Sequence, residues 1–525
     1  MSESEDAEVD PRVHRVRDLR DRLEDARRPD TVRRARERGT LTARERVAAL
    51  CDPGTFSEHG GLVRDYDADD SAYSSSPADG LIAGTGSVDG RPVAVVASDF
   101  TVEGGSDGRL GMEKQYRMAD LALRHGLPLV MLLEGGGHRI TEGLDASGFG
   151  KHAMPFFEAV VRLSGWAPVV CSIMGPGFAG PANSSSLADF VPMVRGTSSM
   201  GIAGPALVRA ATGEDLTKDE LGGAERQARS GNADLVCESD EECLHAIRRY
   251  LSFLPTNASA PPPRGPTRDD LLDPVPELRT VVPRDRRRGY DVRGVLRLLV
   301  DDGELFELRP EWARNMVTGL ARIDGRPVGM MANQPMHLAG AIDASAAEKA
   351  GRLLSLCSAF GLPVLSLCDT PGFLPGSGSE SAALVRRSAK MLQALGHHAA
   401  GLITVVLRKA YGMGMVAMGA QRGLGNDLLL LWPEAEMSAM GIEGAVDVAL
   451  REHWASADDP EKARRALVER LLERSSAEQT AAGFTVDDLI DPADTRRRVV
   501  LALRVVSSNP SRLSLPPKRH PVAPI

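Results

Sequence analysis

Two glycine-rich turns follow apolar runs in this sequence: GPGFAG (175–180) after APVVCSIM, and RKAYGMG (408–414) after GLITVV. Small residues that open a helix directly after a strand leave backbone N–H groups pointing at a ligand. Such donors hold a developing oxyanion, and two of them would suit a reaction in which two carbonyl-bearing partners each build negative charge on oxygen. The competing reading is packing, since glycines also let a helix approach a strand closely. Spacing alone leaves the two readings level.

Other chemistry-bearing motifs are weaker. GPGFAG also matches the dinucleotide fingerprint GxGxxG, but Pro176 sits where the loop should be pliant, and TSSMGIAG stands where an acidic residue is needed roughly 20 positions on. GGSDG (104–108) matches the GxSxG nucleophile pattern, yet Ser106 lies in a long loop, SDFTVEGGSDGRLG, and no histidine is tied to it by spacing. GHH (396–398) reads as the exposed end of a helix, because paired histidines alone do not make a metal site.

A chain of 525 residues exceeds one ordinary core and predicts two domains of roughly 200 residues each. The composition, 42% hydrophobic and 26% charged, is that of a soluble globular protein, and the net charge of -9 argues against general nucleic-acid or anionic-membrane binding. Six scattered cysteines without CxxC spacing indicate neither a zinc site nor a disulfide framework, and fit a reducing cytoplasm. The charged amino terminus has no signal-peptide core, and no run of about 18 apolar residues offers a membrane span.

The elements that must carry the two turns are written twice. GLPLVMLLEGGG (126–137) returns 235 positions later as GLPVLSLCDTPG (361–372), each preceded by a strand (RPVAVVASDF, RPVGMMANQP) and a helix containing Glu113-Lys114 or Glu348-Lys349. APVVCSIMGPGFAG answers GLITVVLRKAYGMG, and MGIAGP (200–205) answers MGIEGA (440–445), which identifies a whole-domain duplication. Strands of continuous Val, Leu and Met between helical patterns predict α/β halves. Residues 12–50 alternate Arg with Glu and Asp around Leu19, Leu23, Val47 and Leu50, which predicts solvent-exposed helices outside the core. The proline-rich LPTNASAPPPRGPTRDD (254–270) reads as a linker. The expected division is a charged extension at 1–40, a first domain at 41–254, a linker at 255–275, a second domain at 276–510 and a tail at 511–525.

The stretch RPEWARNMVTGLARIDGRPVGMMANQPMHLAGAIDASAAEKAGRLLSLCSAFGLPVLSLCDTPGFLPGSG (309–378) closely resembles the carboxyltransferase (beta) subunit of biotin-dependent acyl-CoA carboxylases of the propionyl-CoA and methylcrotonoyl-CoA type. ELGGAERQARSGNADL (220–235) and the segment 408–448 resemble the same family, and the likeness runs from about residue 40 to about residue 475. The resemblance implies a duplicated crotonase-like (ClpP/crotonase) α/β fold, with a CoA thioester and carboxybiotin meeting across a dimer interface, in a hexamer of such subunits. It implies that carboxybiotin releases carbon dioxide in the site, that the freed biotin nitrogen takes the α-proton, and that the enolate attacks the carbon dioxide, with peptide N–H groups holding the enolate and ureido oxygens. The carboxyl acceptor is then the α-carbon, or a vinylogous γ-carbon, of an acyl-CoA, and no metal is needed in this subunit.

Carried over residue by residue, the family's oxyanion positions fall on Ala179-Gly180, where Gly-Gly is usual, and on Gly412-Met413, where RKAYGMG replaces RKAYGGA. Any such position that needs φ > 0 would resist Ala or Met. Gly136, Gly137 and Arg139 match the family's GGARI segment and are implied on the CoA side, with a surface salt bridge as the other reading of Arg139; Arg408, Lys409 and Tyr411 stand beside the second turn and are implied at the cofactor, Arg408 and Lys409 facing biotin or phosphate unless they are merely solvated. Phe178, Asn183 (replacing a usual Tyr) and Ala382 (replacing an aspartate associated with acyl choice) are the implied substrate-binding residues, with a plain helix alanine as the other reading of Ala382. The sequence has no AMKM biotinylation site and no ATP-grasp or P-loop signal, so biotin carboxylase and biotin carrier are expected on other chains. Two further readings stand beside carboxyl transfer: a biotin-dependent acyl-CoA decarboxylase subunit, and a non-catalytic partner in a mixed carboxylase ring.

Overall fold

A computed structural model describes residues 10–64, 68–139, 142, 146–286 and 288–506. The chain divides into two compact units, Met1–Ala260 and Pro261–Ile525. In the first unit a sheet runs β1 (Ser57–Glu58), β2 (Leu81–Val88), β3 (Arg91–Ser98), β4 (Leu129–Gly135), β5 (Val169–Phe178), β6 (Pro192–Val194) and β8 (Leu235–Cys237), with β7 (Ser199–Gly201) paired to β5. In the second, the same path taken from the opposite edge is β16 (Asp488–Leu489), β14 (Leu428–Leu431), β13 (Leu402–Tyr411), β12 (Val364–Thr370), β11 (Arg326–Asn333), β10 (Met316–Ile323) and β9 (Leu305–Leu308), with β15 (Glu436–Ser438) on β13. The duplication expected from the sequence is therefore a duplication of topology.

Each sheet begins as an antiparallel hairpin, β2–β3 and β10–β11, and continues in parallel strands. The hairpins turn on Asp89-Gly90 and Asp324-Gly325, whose four φ values lie between 49° and 73°. That is the turn an Asp-Gly pair favours between twisted strands. An aspartate accepts both turn N–H groups in each case, Asp52 at 3.1 and 2.8 Å and Asp301 at 3.1 and 2.8 Å.

Helices Arg109–His125 and Ala344–Ala359 cover corresponding faces of the two sheets and carry the Glu-Lys pairs. Their lysines are buried. Lys349 Nζ donates to the carbonyls of Arg309, Trp312 and Met316 at 2.7–2.9 Å, and Lys114 Nζ to those of Ala78 (3.0 Å) and Leu81. A buried ammonium is tolerable only when its donors are matched in this way.

The amino-terminal helices differ from expectation in one respect. Leu19 and Leu23 do form a narrow anchor, packed with Tyr73. Helix Ala43–Leu50, however, belongs to the interior: Arg46 is 1% exposed and pairs with Glu134 and with Asp240 (2.8 Å). An arginine pattern reads as surface until its carboxylate partners, distant in sequence, are known. No helix among the described residues is long and apolar enough to cross a membrane.

Candidate functional site

The first turn is strained where the sequence suggested it would be. β5 ends at Phe178, and Ala179 follows with φ 57° and ψ -107°, a conformation costly for any residue with a Cβ. Its N–H donates to the Gly201 carbonyl at 3.0 Å and its own carbonyl accepts from the Asn183 N–H at 2.9 Å. Ala179 is thus the hinge of the turn rather than a donor to a ligand. The Gly180 N–H, which opens helix Gly180–Ser186, meets no acceptor among the described residues. Gly137, with φ 81°, lies so close that a Cβ on it would stand 2.8 Å from the Gly180 nitrogen, so both glycines are required by the approach of the strand end to the helix.

A cavity of about 260 Å³ opens beside this turn. Leu133, Met112, Ala153, Phe156 and Phe157 make its apolar wall, and Gly136, Ala179, Gly180 and Asn183 make part of its rim. Asp107, Gln115 and His138 also line it. Asp107 is fixed by its backbone: its N–H donates to the Gly137 carbonyl at 2.8 Å and its carbonyl accepts from the Arg139 N–H at 2.9 Å. Its Oδ1 accepts from Gln115 Nε2 at 2.6 Å. Burial pushes the Asp107 carboxyl up to about 7, against the Gln115 hydrogen bond and the charge of Arg139.

Arg139 braces this loop from behind. Its guanidinium pairs with Asp79 (3.0 Å) and Glu142, and donates to the Ser106 carbonyl at 3.4 Å. Phe178 turns away from the cavity and lies against Gly201 and Gly204 of the next turn.

In the second unit β13 ends at Tyr411 and helix Gly412–Ala417 follows, with Gly412 at φ 55°. Here the left-handed position is a glycine, and Met413 is an exposed residue of ordinary helix, so its side chain imposes no strain. The Met413 N–H meets no acceptor among the described residues, whereas the Gly412 N–H continues the β13–β15 ladder toward Ser438, as the Ala179 N–H does toward Gly201. A Cβ on Gly414 would come 2.7 Å from Gly372, the counterpart of the Gly137–Gly180 approach. Both turns therefore pair a close glycine contact with a peptide N–H that meets no acceptor among the described residues.

Arg408 departs from expectation. Its guanidinium is buried, with Nε 2.9 Å from Asp369, Nη1 donating to the carbonyls of Pro283, Asp285 and Arg288, and the Tyr290 ring 4.7 Å away. It is neither a ligand-facing group nor a solvated charge but the support of the strand end. Lys409 is mostly covered, with Nζ 3.6 Å from Asp369 and 3.4 Å from the Ala339 carbonyl. Tyr411 is buried, its phenol pushed up by burial and by Glu436, which Arg286 pairs. Ala382 is exposed at the break between helices Ser377–Ser381 and Leu384–His397, where Ala383 takes φ 55°.

The weaker motifs have structural explanations. Gly175 and Gly177 lie inside β5, and a Cβ on Gly175 would collide with Glu134 Oε2, so the first glycine of GPGFAG makes room for a buried carboxylate. Ser106 Oγ donates to the Glu103 carbonyl at 2.8 Å, as a loop serine would. GHH meets the expectation of an exposed helix end only in part: His397 is exposed there, but His398 is fully buried, with ring nitrogens 3.3–3.4 Å from the carbonyls of Leu354 and Gly401. No group of residues able to hold a metal ion occurs among the described residues. Asp107 and Gln115 escape a reading of the sequence, although GGSDG contains Asp107; a carboxyl in a glycine loop next to a strand end was the available signal.

Known proteins match this chain over nearly its full length. The carboxyl transferase domain family matches residues 34–523. The propionyl-CoA carboxylase carboxyltransferase subunit of Haloferax mediterranei is 40% identical over 97% of this chain and 99% of that protein. The methylmalonyl-CoA carboxyltransferase 12S subunit of Propionibacterium freudenreichii subsp. shermanii is 40% identical over 98% and 97%. A crystal structure of transcarboxylase 12S, described as a hexamer assembly with methylmalonyl-coenzyme A and methylmalonic acid bound, superposes with a TM-score of 0.91 at 38% identity, over 99% of each chain. The duplicated crotonase-like α/β fold expected from the sequence is the fold of this chain.

Proposed function

The chain belongs to the carboxyl transferase domain family, and from that premise we propose that it is the carboxyltransferase subunit of an acyl-CoA carboxylase, moving a carboxyl group from carboxybiotin to the α-carbon of an acyl-CoA. The reading rests chiefly on one observation: each half ends a central strand in a left-handed turn followed by peptide N–H groups with no acceptor among the described residues. In this assignment the Gly180 N–H holds the thioester oxygen, and the Met413 N–H, presented by the turn that Gly412 makes, holds the ureido oxygen of biotin.

Bound at the second turn, carboxybiotin would supply the carboxyl group and, through its ureido nitrogen, the base for the α-proton. The chain's own residues then need only orient and stabilise. Peptide dipoles fixed by the β5 and β13 strand ends meet negative charge without reorganising, which is where such sites gain most of their rate. The apolar wall of Leu133, Met112, Phe156 and Phe157 keeps water from an acyl enolate beside Gly180. Arg408, Asp369 and Arg139 serve as positioning residues for the two turns.

Biotin carboxylase and the biotin carrier are assigned to other chains, and the subunits to a six-membered ring built from dimers, which the transcarboxylase 12S hexamer supports for a chain of this fold. Six buried thiols support a reducing cytoplasm. The test is carboxyl transfer from a carboxylated biotin carrier to a panel of acyl-CoA esters, acetyl to long and branched. Turnover of short esters is expected. Folded protein that transfers to none of them, with a working carrier, defeats the reading, and loss of the carboxyl from methylmalonyl-CoA without transfer would replace it by a decarboxylase.

A further inference from the structure

Asp107 and Ile342 occupy the same place in the two halves, 235 residues apart. The Asp107 N–H donates to the Gly137 carbonyl (2.8 Å) and the Ile342 N–H to the Gly372 carbonyl (3.0 Å); the Arg139 N–H donates to the Asp107 carbonyl (2.9 Å) and the Leu374 N–H to the Ile342 carbonyl (2.9 Å). Gln115 has Ala350 as its counterpart on the equivalent helix. The second half thus builds this corner from two buried aliphatic residues. Folding of the corner does not call for a carboxyl or an amide, and covering the Asp107 carboxyl in part and the Gln115 amide almost fully is unfavourable unless something is gained.

What the first half gains faces the cavity. Gln115 Nε2 is a donor, so Asp107 Oδ1 is the accepting oxygen and the proton of a neutral carboxyl resides on Oδ2. Oδ2 has no hydrogen-bond partner among the described residues, and it stands 3.6 Å from where a Cβ on Gly180 would lie. The carboxyl and the free Gly180 N–H therefore border one cavity. We propose that Asp107 is a ligand-binding residue of this turn, a carboxylic acid whose Oδ2–H donates to the acyl thioester oxygen that the Gly180 N–H also addresses. The inference rests on the functional reading above.

The groups facing Asp107 set its proton. Arg139 and Asp79, a mutual ion pair, act on it in opposite senses, His138 lines the same cavity, and Gln115 is neutral. Desolvation dominates, so the acid form persists up to about pH 7. Ionised Asp107 would instead repel a thioester oxygen gaining negative charge. Carboxylic acids kept neutral in apolar sites donate in this manner in other enzymes.

Titration of the full-length protein with propionyl-CoA, and in parallel with free CoA, from pH 5.5 to 8.5 tests the proposal. The ratio of the two affinities removes the titration of the CoA phosphates. For the natural chain this ratio is expected to fall about tenfold as pH passes through 7. Asp107→Asn, which keeps a donor but has no proton to lose, should hold the ratio constant. Asp107→Ile, which copies the second half, should melt no lower than the natural chain yet show a low ratio at every pH. A pH-independent ratio in the natural chain, or an unchanged pH dependence in Asp107→Asn, overturns the role of Asp107 alone. Absence of any acyl-dependent affinity at all pH values overturns both it and the assignment of the thioester to this turn.

Discussion

Glu134 and Asp369 stand at the same position of the two halves, each a buried carboxylate at the end of a central strand and each paired with a buried arginine. Glu134 is met by Arg46 from the amino-terminal helix, and Asp369 by Arg408 from the neighbouring strand at 2.9 Å, with the Tyr290 hydroxyl donating to it at 2.9 Å. The duplicated domain kept the anion and found its cation in different places. Backbone is tied to it as well, since the Lys409 N–H donates to Asp369 at 3.3 Å.

Removing either cation should be severe. Arg408→Met strips Asp369 of its close ion pair and leaves it the Tyr290 hydroxyl, the Lys409 N–H and the Lys409 ammonium at 3.6 Å, and is expected to cost about 3 kcal/mol in urea unfolding. Arg46→Met strands both Glu134 and Asp240 and should cost at least as much. Arg408→Met combined with Asp369→Leu should recover a large part of the loss, because the penalty lies in the unpaired charge.

Lys349→Met should destabilise by about 3 kcal/mol, since three carbonyls lose their donor, and Lys114→Met by less, since two do. Burial lowers Lys114 to about 8 from an ordinary 10.5. Below pH 8 both folded and unfolded chains carry the charge; between 8 and 10.5 the unfolded chain holds more proton, so this group's contribution to stability rises with pH. The stability difference between the natural chain and Lys114→Met should widen over that interval when urea midpoints are compared.

Ala179→Gly relieves a left-handed alanine at the cost of unfolded-chain entropy, and a gain of about 1 kcal/mol is expected in thermal unfolding. Gly412→Ala does the reverse: its Cβ would stand 3.0 Å from the Ala439 carbonyl at φ 55°, and a loss of about 1–2 kcal/mol should accompany reduced carboxyl transfer.

Ala382→Asp should leave stability within about 0.5 kcal/mol, because the side chain is exposed. If this position governs the acyl pocket, the ratio of transfer to propionyl-CoA over longer esters should rise several-fold in the substrate panel.

Periodicity and repetition carried much of this protein. The paired stretches 126–137 and 361–372 announced a duplicated α/β domain because a buried parallel strand must be apolar throughout and a strand end that meets a helix must be glycine, and both demands are local. The Asp-Gly hairpins at 89–90 and 324–325 are equally local, and their turn chemistry stands in the sequence. The turn residues Ala179, Gly180 and Gly412 could be named from the sequence for the same reason. Which N–H groups remain free could not, because Ala179 spends its own on Gly201, a residue brought alongside only by β7. Nor could the fate of the charges: Arg46, Arg408 and Lys114 look like surface in any window, and become interior only when Glu134, Asp369 and the carbonyls of Ala78 and Leu81 arrive from distant segments to match them. Asp107 shows the same limit at the site itself, since desolvation pushes its carboxyl up, and the groups that desolvate it are brought together by the tertiary structure.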